Sequence, residues 1–397
     1  MKLVAKTFSG LEPVLAKELE ALGATTVKQV KRAVTFDASK ELMYKANLHL
    51  RTAVRILQPV TSFTARHEDE LYQKIYDFDW SHFLKPEQTL AIDAITYSDI
   101  FTHSKYVALK IKDAICDQFK KKFGKRPSVD LDAPTLLLNV HVAQDKFTVS
   151  FDSSGESLNR RGYRTGEHPS PMNECLAAGL VLISGWDGQS PFIDPMCGSG
   201  TIVLEAAMIA AKIAPNLKRT NFGFTRWNNF DAELWEKLRK EAEEQIVTPS
   251  VKIIGGDIMA ASIDIARQSA LDFGLKKYIH FENAAFDGLK TIAKNGTIIM
   301  NPPYGERLRP RDIVQLYLGI GKTLERNYEG FDAWIISSNI DAMELMDIEP
   351  IEKLTLFNGP LECRYAKYQL YKGERKEQPV KPVRRRIMRD GTTSIVK

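Results

Sequence analysis

A short apolar strand, a glycine-containing turn and an unbroken helical run follow one another at residues 191–214, PFIDPMCGSGTIVLEAAMIAAKIA. In this arrangement a ligand lies against the start of the helix, because the first backbone N–H groups have no partner within the helix. Apolar strands alternate with helical segments from about Met172 onward, at residues 192–194, 251–255, 297–300 and 333–337. The pattern predicts an α/β unit with a parallel sheet covered by helices on both faces.

The N-terminal residues show a different pattern of β-branched runs and amphipathic helices. Strands at 3–8, 27–36 and 52–63, with helices at 12–22 and 40–47, predict a ferredoxin-like α+β unit over residues 1–63. Ser39 is expected to cap the second helix. Helices at 69–76 and 104–123, with strands at 89–97, 135–142 and 146–152, predict a second α+β unit over residues 64–158.

A segment rich in Gly, Pro and Arg at 155–172 separates these units from the α/β domain, which we place at residues 159–375. Residues 212–248 form an excursion from the α/β pattern and are expected to be an insertion with its own helix. Residues 376–397 lack apolar periodicity and predict a basic C-terminal tail without regular structure.

The composition excludes several classes of protein. The chain has 397 residues and is 44% hydrophobic, which is enough for roughly two or three buried cores. Its four cysteines lie far apart, and their spacing predicts free thiols and no metal site. The sequence has neither a signal-peptide pattern nor an apolar stretch long enough to cross a bilayer, so we expect no membrane partner and a cytoplasmic address.

The glycine turn does not fit two common nucleotide-binding motifs. A phosphate-binding loop needs a Lys-Ser/Thr pair after its glycines, but here Thr201 is followed by Ile202. A dinucleotide fold places an acidic ribose ligand about 20 residues further on, whereas the matching strand end, VKIIGGD, places Asp257 after the insertion. Asp257 is predicted to accept hydrogen bonds from ribose hydroxyls; the alternative is that it caps the helix at 260–273.

The most informative residues are Asn301, Pro302, Pro303 and Tyr304, which directly follow an apolar strand. An aromatic exocyclic amine is a poor nucleophile because its lone pair is delocalised into the ring. The side-chain oxygen of Asn301 and the main-chain carbonyl of Pro302 can accept its two hydrogens and orient the lone pair. The prolines stiffen the turn, and Tyr304 supplies a stacking face. The alternative is a simple tight turn, which the position at a sheet edge disfavours.

The chain resembles the THUMP-domain RNA methyltransferases, specifically the bacterial family that methylates guanine in 23S rRNA and is often labelled as adenine-specific DNA methylases. The resemblance covers nearly the whole chain and is carried by ESLNRRGYR, DPMCGSGTIVLEAA, GGD, NPPYGERL and NGPLECRY. It implies a class I Rossmann-like domain that binds S-adenosylmethionine, preceded by a ferredoxin-like unit and a THUMP unit.

The resemblance also implies roles for individual residues. The methionine part of the cofactor would be lined by Asp194, Pro195, Cys197, Gly198, Ser199, Gly200 and Thr201. Asp257 would bind the ribose, and the NPPY residues would bind the target amine. The family has an aspartate near the cofactor's adenine, whereas this chain has Asn283 at the corresponding place, with Asp287 as the alternative.

Basic clusters are the candidate phosphate contacts. They lie at residues 120–126 and 384–386, and in the junction at Arg160, Arg161 and Arg164. Charge runs are more often solvated faces than binding sites, and only the junction is also supported by the resemblance.

These features together predict an RNA methyltransferase that uses S-adenosylmethionine and acts on an exocyclic amine, with N2 of guanine in 23S rRNA as the target and 23S rRNA or a ribosome precursor as the partner. No metal and no covalent intermediate are expected. Alternatives are a DNA adenine-N6 methyltransferase, a tRNA guanine-N2 methyltransferase and an inactive RNA-binding assembly factor.

Overall fold

A computed structural model describes residues 1–164, 172–289, 293–305, 310–370, 385–387 and 393–395. The Glu306–Leu308 part of the NPPYGERL motif, the 165–171 part of the junction and Arg384 lie outside the described residues. No helix in the described part of the chain is both long enough and apolar enough to cross a membrane.

The first unit has two helices packed on antiparallel strands. Its elements are β1 (Lys2–Lys6), α1 (Glu12–Ala21), β2 (Thr25–Val30), β3 (Ala33–Asp37), α2 (Lys40–His49) and β4 (Arg55–Thr64). Ser39 caps α2 as predicted, since its Oγ accepts from the backbone N–H of Leu42 at 3.1 Å. The single strand predicted at 27–36 is wrong: it is the β2–β3 hairpin, which turns at Arg32 with a φ of 57°.

The second unit continues the same sheet. Its elements are α3 (Glu68–Asp77), β5 (Thr89–Tyr97), α4 (Ser104–Phe123), β6 (Ser128–Val129), β7 (Leu136–Ala143) and β8 (Lys146–Asp152). The eight strands run in the order β2-β3-β1-β4-β8-β7-β5-β6. Strand β4 pairs with β1 on one side and with β8 on the other, so residue 63, where we expected a domain boundary, lies inside a strand shared by both units.

The α/β domain forms a second sheet of seven strands. Its elements are α5 (Glu174–Ile183), β9 (Phe192–Asp194), α6 (Thr201–Ala210), α7 (Ala232–Glu244), β10 (Ile253–Asp257), α8 (Ala260–Phe273), β11 (Ile279–Asn283), β12 (Gly296–Met300), α9 (Pro310–Asn327), β13 (Phe331–Ser337), α10 (Ile340–Glu344), β14 (Glu352–Asn358) and β15 (Leu361–Gln369). The order is β11-β10-β9-β12-β13-β15-β14. Strands β9 to β13 are parallel, and β15 runs antiparallel to both β13 and β14.

The sheet order creates a switch point between β9 and β12. From β9 the chain proceeds outward through β10 to β11, then returns to place β12 on the other side of β9. Two separate hydrophobic clusters cover the two faces of the sheet. In such folds ligands bind where the strand order reverses, outside the carboxyl ends of the strands. The predicted fold class, a Rossmann-like α/β domain after two α+β units, is confirmed.

The insertion between α6 and β10 packs on the first unit. Tyr44 of α2 stacks on Phe224 with ring centroids 4.4 Å apart, and its hydroxyl accepts from the backbone N–H of Asp231 at 3.0 Å. Trp235 of α7 belongs to the same hydrophobic cluster. The insertion therefore fixes the N-terminal units against the α/β domain.

The C-terminal tail is not wholly irregular, contrary to our expectation. Strand β16 (Arg385–Ile387) pairs antiparallel with β17 (Thr393–Ile395).

Candidate functional site at the carboxyl edge of the parallel sheet

Four neighbouring parallel strands bring the predicted site residues to one edge. Asp194 ends β9, Asp257 ends β10, Asn283 ends β11, and Asn301 follows β12. Because β9 and β12 are adjacent, the turn with the glycines and the NPPY segment both leave the sheet at the switch point. Residues separated by more than 100 positions in sequence are thus assembled into a single site.

The glycine turn is held by its own backbone and by β10. The N–H of Cys197 donates to the carbonyl of Gly256 at 2.8 Å, and the N–H of Gly200 donates to the carbonyl of Cys197 at 2.8 Å. Gly198 and Gly200 have φ values of 53° and 86°, in the left-handed region that favours glycine. Ser199 is half-buried, whereas Pro195 and Thr201, the first residue of α6, are buried. The turn therefore presents backbone at the N-terminus of α6.

Glycine at position 200 also allows α6 and α8 to pack closely. A Cβ atom there would lie 3.0 Å from the Cβ of Ala266, which is tighter than ordinary contact. At Gly256 a Cβ atom would lie 2.2 Å from Leu289 Cδ1. A side chain at the second glycine of GGD would therefore displace Leu289.

Asp194 is a buried carboxylate with an unused oxygen. Its side chain is 1% exposed, and its Oδ1 accepts from the backbone N–H of Met196 at 3.3 Å. Its Oδ2 is buried without a hydrogen-bond partner among the described residues. Burial, and secondarily the charge of Asp257, raises the pKa of Asp194 well above its ordinary value. A buried acceptor without a partner costs stability unless a ligand group satisfies it.

Asp257 ties two loops together. Its Oδ2 accepts from the N–H of Gly198 at 2.9 Å, and its Oδ1 accepts from the N–H of Met259 at 2.8 Å. Helix α8 begins after Met259, which occupies the cap position, so the alternative that Asp257 caps this helix is wrong. The carboxylate instead fixes the glycine turn relative to the end of β10.

Asn283 continues the edge beyond Asp257. Its Nδ2 donates to the main-chain carbonyls of Asp257 at 2.9 Å and Ile258 at 3.0 Å, which leaves its side-chain oxygen oriented away from these carbonyls. Asp287 lies in a short 3₁₀ turn after β11 and is exposed.

Two exposed apolar residues beside Asp257 were not predicted. Ile258 is 73% exposed and Met259 is 61% exposed. Large apolar side chains at the end of a buried strand suit a flat apolar ligand. Both residues directly follow the predicted ribose ligand in the sequence, and this position could have identified them as candidates for the site.

The NPPY turn is braced from several sides. The Nδ2 of Asn339 donates to the main-chain carbonyl of Tyr304 at 2.9 Å, and the hydroxyl of Tyr317 lies 3.4 Å from the carbonyl of Pro303. Pro302 is buried and Pro303 is exposed. The turn is thus fixed by side chains from α9 and from the cap of α10, in addition to its two prolines.

Tyr304 is anchored by its hydroxyl. The hydroxyl donates to Asn301 Oδ1 at 2.6 Å and accepts from Asn358 Nδ2 at 3.3 Å, with the thiol of Cys363 at 3.8 Å. The ring is half-buried, and burial raises the pKa of the phenol well above its ordinary value. Asn358 and Cys363 belong to the NGPLECRY motif, which carried no predicted role.

Arg161 does not contact solvent. Its side chain is fully buried, with Nε 3.5 Å from Glu205 Oε1, and the guanidinium also bonds the carbonyls of Leu158 and Arg51. Burial in a cluster that spans the domain junction is incompatible with a phosphate contact. The expectation that Arg161 binds RNA is therefore wrong for this side chain.

The other candidate cations lie at the surface. Arg160 pairs with Glu156 and its side chain is 70% exposed, while Arg164 contacts Glu174 and is 33% exposed. In the cluster at 120–126, three cations have acidic partners: Lys122 with Asp79, Lys125 with Glu87, and Arg126 with Asp117. That cluster is thus largely neutralised.

All four cysteines are buried free thiols, as predicted.

Comparison with known families shows three matches along the chain. Residues 161–367, more than half of the chain, match the RMKL-like methyltransferase domain. Residues 65–152 match the THUMP domain, and residues 2–57 match the RlmL ferredoxin-like domain.

Curated relatives and solved structures agree with these matches. The chain is 36% identical over 382 residues to a protein of Syntrophotalea carbinolica named ribosomal RNA large subunit methyltransferase K/L, covering 93% of this chain but 54% of that protein. It is 35% identical to a Synechocystis protein named as a candidate RNA methyltransferase, covering 91% of this chain and 95% of that one. A solved structure described as a candidate methyltransferase complexed with SAH is 31% identical, covers 94% of this chain and 99% of that one, and has a TM-score of 0.86.

The chain spans about half the length of the K/L relatives it matches.

Proposed function

This chain belongs to the family of RMKL-like methyltransferases, and from that premise we propose that it transfers a methyl group from S-adenosylmethionine to an exocyclic amine of an RNA base, with N2 of guanine in 23S rRNA as the target. The observation that carries the proposal is the adjacency, at the switch point, of an NPPY turn and a glycine turn that follows Asp194, whose buried Oδ2 has no hydrogen-bond partner in the described part of the chain. The acceptor groups of the NPPY turn suit an amine, and the carboxylate beside the glycine turn suits a cationic cofactor.

The residues present fit S-adenosylmethionine. Asp194 offers a buried acceptor for its ammonium group, and the turn from Cys197 to Thr201 leaves backbone accessible for its methionine part. Asp257 would accept from the ribose hydroxyls, with Ile258 against the adenine ring and the Asn283 oxygen toward the adenine amine. When bound, S-adenosylmethionine supplies an electrophilic methyl group on a positively charged sulfur.

The protein's part in the reaction is to bind and orient the amine. Asn301 Oδ1 already accepts from Tyr304, and its second lone pair is available for a hydrogen of the amine. The main-chain carbonyl of Pro302 would accept the other hydrogen. With both hydrogens held, the nitrogen lone pair points in one direction, which provides the positional gain of an oriented reaction.

Tyr304 acts differently from a freely exposed stacking platform. Its hydroxyl is fixed inside the protein, so the half-buried ring keeps one orientation toward the cleft. A target base would stack on a surface that does not need to be ordered on binding, at a gain of about 1–3 kcal/mol per stacked base.

The N-terminal units would bind the RNA. They match a THUMP domain and a ferredoxin-like domain of a large-subunit rRNA methyltransferase, and the exposed Arg160 and Arg164 lie where these units meet the catalytic domain. Both arginines can contact phosphates, which position an RNA without reading its sequence. A ribosome precursor is the proposed partner.

The test is transfer of labelled methyl from S-adenosylmethionine to nucleic acids from cells that lack this protein. Naked 23S rRNA, precursor ribosomal particles, tRNA and DNA are offered separately, followed by nucleoside analysis. Label in N2-methylguanosine from rRNA supports the proposal. Label in methyladenine from DNA, or no label in any of the four substrates, contradicts it.

A further inference from the structure

The turn between β14 and β15 lies beside the NPPY segment. Asn358 and Leu361 pair at the end of this hairpin, and the hairpin places both Asn358 and Cys363 at the hydroxyl of Tyr304. Asn358 is half-buried and Cys363 is 1% exposed. These two residues come from a segment in which no cofactor-binding residue is proposed.

The hydrogen bonds around this hydroxyl have a defined direction. The Nδ2 of Asn358 donates to the hydroxyl oxygen at 3.3 Å, while the thiol of Cys363 lies 3.8 Å from that oxygen and 3.6 Å from the carbonyl of Leu361. A phenol has a single hydrogen, and here its acceptor is Asn301 Oδ1 at 2.6 Å. The Asn358 donor on one side of the hydroxyl therefore directs its hydrogen to the other side.

This direction determines which end of the Asn301 amide faces Tyr304. If the amide rotated by half a turn, its NH₂ group would meet the hydroxyl, and the hydroxyl's hydrogen would lose its acceptor while the bond from Asn358 remained. The acceptor orientation of Asn301 is therefore selected by groups that never touch the substrate.

We infer that Asn358 is a positioning residue, which acts through the Tyr304 hydroxyl to hold the side-chain oxygen of Asn301 in the orientation needed to accept from the target amine. The inference rests on the proposed function for its catalytic meaning, while the hydrogen-bond chain itself can be tested without catalysis. It gives the NGPLECRY motif a role in the methyl-transfer step.

The experiment is a double-mutant cycle between Asn358→Leu and Tyr304→Phe, measured by single-turnover methyl transfer and by cofactor affinity. Losing one hydrogen bond of this kind is expected to slow transfer by about tenfold, with unchanged cofactor affinity. In the Tyr304→Phe background, Asn358→Leu should have less than about a twofold further effect, because the hydroxyl through which it acts is gone.

Asn358→Asp provides the sharper comparison because it keeps the size of the side chain and removes the donor. Its carboxylate would accept the hydroxyl's hydrogen and draw it away from Asn301. It should therefore slow transfer more than Asn358→Leu does, and this excess should vanish in the Tyr304→Phe background. A purely structural role predicts the opposite order, since Asp is closer to Asn in shape.

Asn339→Ala serves as the matched control. Asn339 donates to the main-chain carbonyl of Tyr304, and Tyr304→Phe retains this bond. The effects of Asn339→Ala and Tyr304→Phe on methyl transfer should therefore add.

Additive effects of Asn358→Leu and Tyr304→Phe in an active enzyme would overturn the inference. If the wild-type protein methylates none of the substrates, the proposed function fails, and the same cycle is then measured on the free energy of unfolding. Coupling between the two positions there supports the hydrogen-bond chain, and additivity overturns it.

Discussion

Two clusters of ionisable residues in this protein differ in the charges that surround a buried carboxylate. At the domain junction, Glu205 lies against Arg161, with Arg51 contributing a second positive charge. At the carboxyl edge, Asp194 lies near Asp257, and within the described part of the chain no salt bridge joins either one to a lysine or arginine. Each cluster contains a carboxylate oxygen that is buried without a hydrogen-bond partner among the described residues, on Glu205 and on Asp194.

The two clusters differ in the groups that oppose the effect of burial on the pKa of the carboxylate. Burial raises the pKa of Glu205, but the charges of Arg161 and Arg51 and the Tyr163 hydroxyl oppose that rise. For Asp194, burial and the charge of Asp257 act in the same direction, and only a backbone N–H opposes them. The balanced cluster lies at the junction of two domains, whereas under the proposed function the unbalanced one would be completed by a positively charged ligand.

Arg161→Met tests the balanced cluster most severely. Removing the cation leaves Glu205 buried with only Arg51 and the Tyr163 hydroxyl to oppose the cost of its burial, so the free energy of unfolding should fall by about 3–5 kcal/mol. Denaturant titration measures it. Adding Glu205→Gln to the same chain should recover part of the loss. A variant with unchanged stability but weaker RNA binding would restore the phosphate-contact role and remove the contrast between the two clusters.

Asn301→Ala tests the reactive side of the carboxyl edge. Loss of a positioned acceptor should slow methyl transfer by about 10²–10³-fold, comparable to removing one positioned group from other active sites. Cofactor affinity should not change, because Asn301 orients the amine and not the cofactor. Asn295→Ala, at an exposed position at the opposite end of the same strand, is the matched control for single-turnover rates. Wild-type turnover in Asn301→Ala would refute the role of the NPPY turn.

Asp194→Asn tests the unbalanced cluster. Replacing a charged acceptor by a neutral one should weaken cofactor binding by about 10- to 100-fold, as measured by calorimetry. Unchanged cofactor affinity in Asp194→Asn would show that Asp194 does not bind the cofactor's ammonium group.

The pH dependence of the same variant sharpens the contrast. Because the folded protein holds a proton on Asp194 above the ordinary pKa of 3.8, the stability of the cofactor-free protein should fall as pH rises from that value through the raised pKa. Asp194→Asn should remove this fall and be the more stable protein at neutral pH. Thermal unfolding across the pH range measures both effects, and parallel curves for the two proteins would contradict the raised pKa.

Arg160→Ala should give the smallest effect. Its side chain is exposed and pairs with Glu156, so its loss should leave stability unchanged and lower the slope of log affinity against log salt for RNA by about 1. Lys237→Ala, an exposed paired lysine on α7, is the control with no expected change in slope. An unchanged slope in Arg160→Ala would exclude it as a phosphate contact.

Local sequence patterns predicted four of the seven strands of the α/β domain, β9, β10, β12 and β13, because they are runs rich in apolar residues and lead into Asp, Asn or Ser, whereas β11, β14 and β15 were not predicted. Strands β9 and β12 and their turns follow from such runs, and the polar residues at their ends were predicted as a shared edge. The β2–β3 hairpin was missed because it turns at Lys31 and Arg32, without the glycine or asparagine that usually marks such a turn.

The sequence did not reveal which charges are buried. Arg160 and Arg161 are adjacent in the chain and equal in charge, yet one is at the surface and the other fills the junction. The partners that decide this, Glu205 and Arg51, lie 44 and 110 residues away from Arg161. For the same reason Asn358 and Cys363 could be noted as a motif, but their contact with Tyr304 depends on a hairpin formed by the last strands of the sheet.

Under the proposed function, the shared strand β4 would determine how an RNA is chosen. Since the start of β4 pairs with β1 and the rest of it pairs with β8, the two N-terminal units form one continuous sheet, and the insertion fixes that sheet against the catalytic domain. The distance from a phosphate held at Arg160 to an amine held at Asn301 would then be a constant of the molecule. Selection of the methylated nucleotide would become a measurement of length along a folded RNA, which different sequences with the same shape would satisfy equally.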